Sequence, residues 1–115
     1  MTEVKAQLKS LHIAPRKVRL LADRVRGMKV IEAQQEFHFR AKRSSKPLQK
    51  LVACAVANAK HNAGVKNPEE EMFIKTITVD EGRPFKRYMP RAHGRATMYK
   101  KRTSHITVVL DSYDA

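Results

Sequence analysis

Residues 83 to 102, RPFKRYMPRAHGRATMYKKR, hold eight arginines or lysines and no acid. Arg83, Lys86, Arg87, Arg91, Arg95, Lys100, Lys101 and Arg102 supply the charge, with Phe85, Tyr88 and Tyr99 interleaved among them. Guanidinium and ammonium groups neutralise phosphates, and aromatic rings stack on unpaired bases, so this mixture points to RNA binding. The small residues Ala92, Gly94 and Ala96 near the middle let backbone approach a crowded surface closely. The whole chain leans the same way: 24 basic residues stand against 11 acidic ones in 115, a formal +13. Such an imbalance attracts polyanions and says nothing by itself about fold. Nucleic acid is the leading partner, an anionic membrane surface a distant second.

Side chains capable of covalent or metal chemistry are present without a working arrangement. The histidines His12, His38, His61, His93 and His105 fit no metal-ligand spacing such as HExxH. Four widely spaced glycines make neither a Walker loop nor a dinucleotide fingerprint, and no serine sits in a GxSxG elbow. Glu32 and Glu36 lie one helical turn apart, but no third polar group supports acid–base work, and they read as an exposed helix face. The single cysteine, Cys54, excludes an intrachain disulfide and a CxxC knuckle; within an apolar helical run it reads as a small core residue. No catalytic residue, metal or cofactor is expected. The N-terminal MTEVKAQLKS lacks the plan of a secretory signal, and no apolar run nears the roughly 20 residues that span a bilayer. A cytoplasmic protein is expected, with no membrane partner.

Something has to hold the cations in place. Residues 4–14 alternate roughly as a strand, with Val4, Ala6, Leu8 and His12 on one side. Pro15 suits the first turn of a helix, Val18, Leu21, Ala22 and Val25 follow at helical spacing, and Gly27 is placed to end it. The opposite side of that helix presents Arg16, Arg19 and Arg26, with Asp23 among them. A second helix is expected over 30–41 with Val30, Ala33, Phe37 and Ala41 inward, and residues 40–46 read as a basic loop. Leu48, Leu51, Val52, Ala55, Val56 and Ala59 then form the broadest apolar stripe in the chain, with Ser45 as the cap and Gly64 as the stop. Residues 65–71 read as a loop.

Residues 72–80 and 103–110 are rich in β-branched residues and read as strands, with Phe73, Ile77 and Val79 sharing one face and Ile106, Val108 and Leu110 another. Antiparallel pairing sets Val79 opposite Ile106 and Ile77 opposite Val108, which centres the connection on Ala92 and His93. The basic stretch is then the far end of a hairpin reaching roughly 33 Å from Gly82, against a radius of gyration of about 13 Å for a compact chain of this length. An unsupported two-stranded hairpin is marginal in water, so an ordered arm and a basic loop both remain open. Composition alone would equally permit a free nucleic-acid-binding regulator or a nucleoid protein, and an RNA-cleaving enzyme only without a residue pair to nominate.

Residues 79 to 110, VDEGRPFKRYMPRAHGRATMYKKRTSHITVVL, resemble the bacterial large-subunit ribosomal protein L twenty-two family. The VDEG turn, the MPRA-GRA tip and the closing KRTSHITVV stand at that family's spacing. APRKVRLLADRVRGM and AVANAKHNAG resemble its first and third helices, so the likeness covers nearly the whole chain. It implies a single small α+β domain: three helices on an antiparallel three-stranded sheet, body 1–81 and 103–115, and a protruding β-hairpin arm over 82–102. It further implies a structural, non-enzymatic constituent of the large subunit that binds 23S ribosomal RNA and assists early assembly. The arm would line the peptide exit tunnel near ribosomal protein L four and meet the nascent peptide in passing.

The expected RNA contacts are Lys86, Arg87, Arg91, Arg95, Lys100, Lys101 and Arg102 on the arm, with Arg83 and the stacking rings Tyr88 and Tyr99. Arg16, Lys17 and Arg19 on the first helix, with Lys42 and Arg43 in the loop, form a second group. The resemblance assigns Arg91, Ala92, His93, Gly94 and Arg95 to the tunnel tip. Three departures stand out. Ala14 replaces a serine common before the proline, losing an N-cap that stabilises by about 1 kcal/mol. His93 lowers the fixed charge of the tip, and the tail DSYDA ends acidic.

Overall fold

The computed structural model describes residues 3–40, 43–90, 94 and 96–112. Strand β1 (Val4–Leu11) leads into helix α1 (Pro15–Val25), then α2 (Val30–Phe39), α3 (Ser45–Asn62) and a single turn, α4 (Pro68–Glu71). Four strands follow: β2 (Met72–Glu81), β3 (Phe85–Pro90), β4 (Ala96–Lys101) and β5 (Ser104–Ser112). Strands β1, β5 and β2 form one antiparallel sheet in that order, and β3 with β4 forms a separate two-stranded ladder. The expected α+β architecture is the one observed.

One face of the larger sheet is apolar, and the three long helices cover it. Val4 and Ala6, Met72, Ile74, Ile77 and Val79, and Ile106, Val108 and Leu110 are all buried. Against them lie Val18, Leu21, Ala22 and Val25 from α1, Val30, Ala33 and Phe37 from α2, and the complete α3 stripe from Leu48 to Ala59. Each fully buried aliphatic side chain contributes about 1.5–3 kcal/mol, so this layer is the main source of stability. Among the described residues, no helix is long and apolar enough to cross a membrane.

The strand pairing predicted from the apolar pattern is present: Ile77 pairs with Val108 and Val79 with Ile106. Elsewhere two bulges redirect the alternation. Between Ile74 and Thr76 the ladder skips Lys75, so Met72 and Ile74 enter the core, and Phe73, expected inward with Ile77, is only half-buried. In β1 the register shifts between Leu8 and Leu11, where Ser10 adopts a φ of 58° and donates its backbone N–H to His105 Nδ1 at 3.0 Å. The strand therefore stops at Leu11, His12 faces outward, and Ile13 takes the buried place instead.

Smaller corrections concern helix ends. Ser45, expected as the cap of α3, is its first helical residue and donates its hydroxyl to the Arg40 carbonyl at 2.6 Å; Ser44 stands at the N-cap and does not cap the helix with its side chain. The presumed loops 40–46 and 65–71 contain the start of α3 and the turn α4. Cys54 is exposed rather than in the core, because it falls between the stripe positions Leu51, Val52 and Ala55. Ala41 lies outside the described residues. Gly64, at a φ of 69°, does follow the end of α3.

The outer edge of β2 is closed by the segment around α1. Gly27 (φ 85°) donates its N–H to the Ile74 carbonyl at 2.9 Å, and Ile74 donates to Met28 at 2.9 Å. Farther along, Arg26 Nη2 donates to the Ile77 carbonyl at 2.7 Å, and Arg19 donates through Nε and Nη2 to that of Val79. An edge whose carbonyls are taken by arginines cannot template another strand.

The ladder of β3 and β4 draws the molecule out to 64 × 26 × 18 Å, with a radius of gyration of 17.2 Å against about 13 Å for a compact chain of this size. Its register is not a continuation of the body's. Carrying on from Val79 and Ile106 would set Lys100 opposite Phe85, whereas Phe85 pairs with Lys101. The one-residue shift falls in the junction, where Gly82 N–H donates to the Thr103 carbonyl at 2.9 Å and Thr103 Oγ1 to the Arg83 carbonyl at 2.8 Å.

Candidate nucleic-acid interface

The arm sets its cations by strand register. Lys86 stands opposite Lys100, Arg87 opposite Tyr99, Tyr88 opposite Met98, and Pro90 opposite Ala96 is the last described pair. Like charges directly opposite destabilise a ladder. Lys86, Lys101 and Arg102 are exposed, as is Gly94, whose φ of 69° suits glycine. Backbone register alone places Arg87, Tyr88, Tyr99 and Lys100. Lys42, Arg91, Ala92, His93 and Arg95 lie outside the described residues.

At the base of the arm the fold joins cations that are far apart in sequence. Lys17 from α1, Arg43 from the approach to α3, and Lys101 and Arg102 from the end of β4 line one cleft of about 530 Å³. His12, Ile13, Ala14, Leu20 and Ser44 also line it, and among the described residues no carboxylate does. The α1 end of this cleft has no side-chain cap at Ala14 and no acid in its first turn, where Arg16 and Lys17 stand instead. Positive groups beside the positive end of a helix dipole favour a neighbouring anion. Arg102 is partly compensated by an exposed ion pair with Glu81 at 3.1 Å.

The remaining candidates part company. Arg16 and Arg83 are exposed. Arg19 is exposed as well, but its Nε and Nη2 are committed to the Val79 carbonyl at 3.2 and 3.0 Å. Glu36, read from sequence as surface, instead joins two elements: it accepts from Arg40 at 2.6 Å and from Arg24 of α1 at 3.1 Å. Those bonds, Arg40's foremost, hold its carboxyl below the ordinary range. Among the described residues no three histidine, cysteine or acidic side chains are grouped to hold a metal ion.

Sequence reasoning missed Leu20, which lines the cleft while 59% exposed. The signal was available: Leu20 falls off the α1 stripe of Val18, Leu21, Ala22 and Val25, so its apolar side chain has no place in the core.

A helix-backed sheet drawn out into a cationic two-stranded arm carries the charge footprint of a nucleic-acid-binding protein. Residues 6–111 match the model of the family described as Ribosomal protein L22p/L17e, and the chain belongs to that family. Its members are structural components, not enzymes. The chain is 46% identical over 108 residues to the large ribosomal subunit protein uL22 of Mesoplasma florum, covering 94% of this chain and 95% of that one. It is 47% identical over 108 residues to the protein of the same name from Pelotomaculum thermopropionicum, covering 94% of each. With that of Syntrophotalea carbinolica the identity is 48% over 109 residues, covering 95% of this chain and 97% of the relative.

Proposed function

We propose that this chain is a structural constituent of the cytoplasmic large ribosomal subunit that binds 23S ribosomal RNA, assists early subunit assembly and lines the peptide exit tunnel with its arm. It works as one domain: a body of residues 1–81 and 103–115 that anchors on RNA, and an arm of 82–102 that penetrates it. Ribosomal protein L four is the expected neighbour near the tunnel constriction, with the nascent peptide passing the tip. The phosphate contacts are Lys86, Arg87, Arg91, Arg95, Lys100, Lys101 and Arg102, with Arg16, Lys17, Lys42 and Arg43 on the body; Arg83 and Arg19 are further candidates. Tyr88 and Tyr99 are the stacking rings.

The observation that supports this best is the arm itself: eight cations and no acid over residues 83–102, on a ladder that extends the molecule to 64 Å. Such an arm gains little by packing on its own body and much by entering a polyanion. The test is cosedimentation of the tagged chain with large subunits through a high-salt wash. Retention is expected, because a buried arm dissociates slowly; a protein stripped like any loosely adsorbed cation would defeat the proposal. Cross-links from position 94 to tunnel-wall RNA test the placement of the tip.

A further inference from the structure

We propose that the cleft at the base of the arm receives one unpaired nucleotide of an RNA strand, its base against Leu20 and Ala14 and its phosphate among Lys17, Arg43 and Lys101. This rests on the RNA-binding reading above and names what that one part of the surface holds.

Three properties of the cleft lead there. Its volume of about 530 Å³ lies within the roughly 300–1,000 Å³ of sites that enclose a small ligand, whereas a duplex backbone needs only an open cationic surface. Its walls are of two kinds, apolar at Leu20, Ile13 and Ala14 and cationic at Lys17, Arg43 and Lys101, and none of its nine lining residues is acidic. A nucleotide pulled out of the stack presents those two surfaces together, a flat apolar face and a charged phosphate. Leu20 is also spare to the fold: 59% exposed, it adds nothing to the buried face of α1, which Val18, Leu21, Ala22 and Val25 complete.

The cleft is built before any ligand arrives. Ser44 and Thr103, beside its Arg43 and Arg102 walls, are 3% and 1% exposed, and Ser104 Oγ donates to the Ile13 carbonyl at 2.6 Å. Those anchors fix the start of α1, the start of α3 and the root of the arm relative to one another. A preformed pocket loses little entropy on binding, which suits selection of one extruded base.

The test measures affinities of the full chain, at one salt concentration, for three short RNA duplexes: fully paired, with one bulged adenosine, and with an abasic bulge at the same place. The bulged adenosine should bind about tenfold tighter than either of the others, since an apolar contact of one leucine is worth about that factor. Leu20→Ser, at an exposed position, should erase that preference and leave the paired duplex unaffected; Lys101→Ala should weaken all three. Equal binding of the abasic and adenosine bulges would mean that the cleft takes a kinked backbone rather than a base, and would overturn the inference. So would a preference that survives Leu20→Ser in a variant with an unchanged melt. Failure of the wild-type chain to bind any of the three would overturn the RNA-binding reading and the inference together.

Discussion

The guanidinium of Arg19 grips the carbonyl oxygen of Val79 with two donors, Nε at 3.2 Å and Nη2 at 3.0 Å. Seven residues on, Arg26 holds the carbonyl of Ile77, two residues back along the strand. Two turns of helix advance about 10.5 Å and two strand residues about 6.6 Å, a mismatch that two long, flexible side chains absorb. The face of α1 that looks from sequence like a phosphate stripe is in part a clasp on the open edge of the sheet.

Arg19→Met keeps the aliphatic stem and removes the donors. It should destabilise by about 1.5 kcal/mol, the low end for a hydrogen bond from a charged group because Arg19 is exposed, and lower the melting temperature by roughly 6 °C. The salt dependence of RNA binding should change by less than one unit of slope. An unchanged melt with a full unit lost from the slope would put Arg19 on RNA instead.

Binding to isolated large-subunit RNA should be steeply salt-dependent. Six to eight neutralised phosphates give a log–log slope of roughly −4 to −7. Gly82 and Thr103 already pair through a backbone bond of 2.9 Å, so replacing residues 83–102 by Asn-Gly leaves a closed two-residue hairpin. The shortened protein should keep a cooperative melt, because Ile77, Val79, Ile106 and Val108 are all outside the replaced segment, while its slope becomes less negative by roughly 4 to 6. A slope shallower than about −2 for the intact chain would remove the electrostatic account.

Gly82→Ala tests the junction between sheet and arm. An added Cβ would lie 2.4 Å from Thr103 Oγ1 and 3.2 Å from the ring of His105. Thr103 is buried and its hydroxyl is spent on the Arg83 carbonyl, so it cannot yield without breaking that bond. A cost of about 1–3 kcal/mol is expected, seen as a melt lowered by roughly 4–12 °C and shifted NMR resonances at Thr103 and Arg83. Wild-type stability would mean that the junction is slack.

Glu36 predicts a particular acid response. Its bonds from Arg40 and Arg24 hold its folded-state pKa below the ordinary glutamate value of 4.5. A depressed carboxyl pKa contributes stability that is present above the unfolded value and lost as pH falls through the folded one. The advantage of the wild type over Glu36→Gln should therefore be full at neutral pH and shrink below about pH 4.5. Melts of both proteins from about pH 7 to about pH 3 check this, and a difference that does not vary with pH would show the bridge to be idle.

By itself the sequence determined what depends on local period and on charge. The α3 stripe from Leu48 to Ala59 repeats at helical spacing, and every member of it is buried. The pairing of Ile77 with Val108 follows because a slip of one residue would turn an apolar face to water. The charge of the arm is legible as composition. Only the tertiary structure decided the bulge at Lys75 that trades Phe73 for Met72 and Ile74, and the turn at Ser10 that puts Ile13 inward in place of His12. Both depend on how β5 lies between its two neighbours, which no window of adjacent residues contains. The cleft is the strongest case. Lys17, Arg43 and Lys101 lie on three separate segments, α1, the approach to α3 and the end of β4, and each alone reads as a solvated cation. They become one site because packing α1 and α3 on the same sheet face brings the starts of both helices to the root of the arm, a consequence of hydrophobic burial over long separations rather than of any local preference.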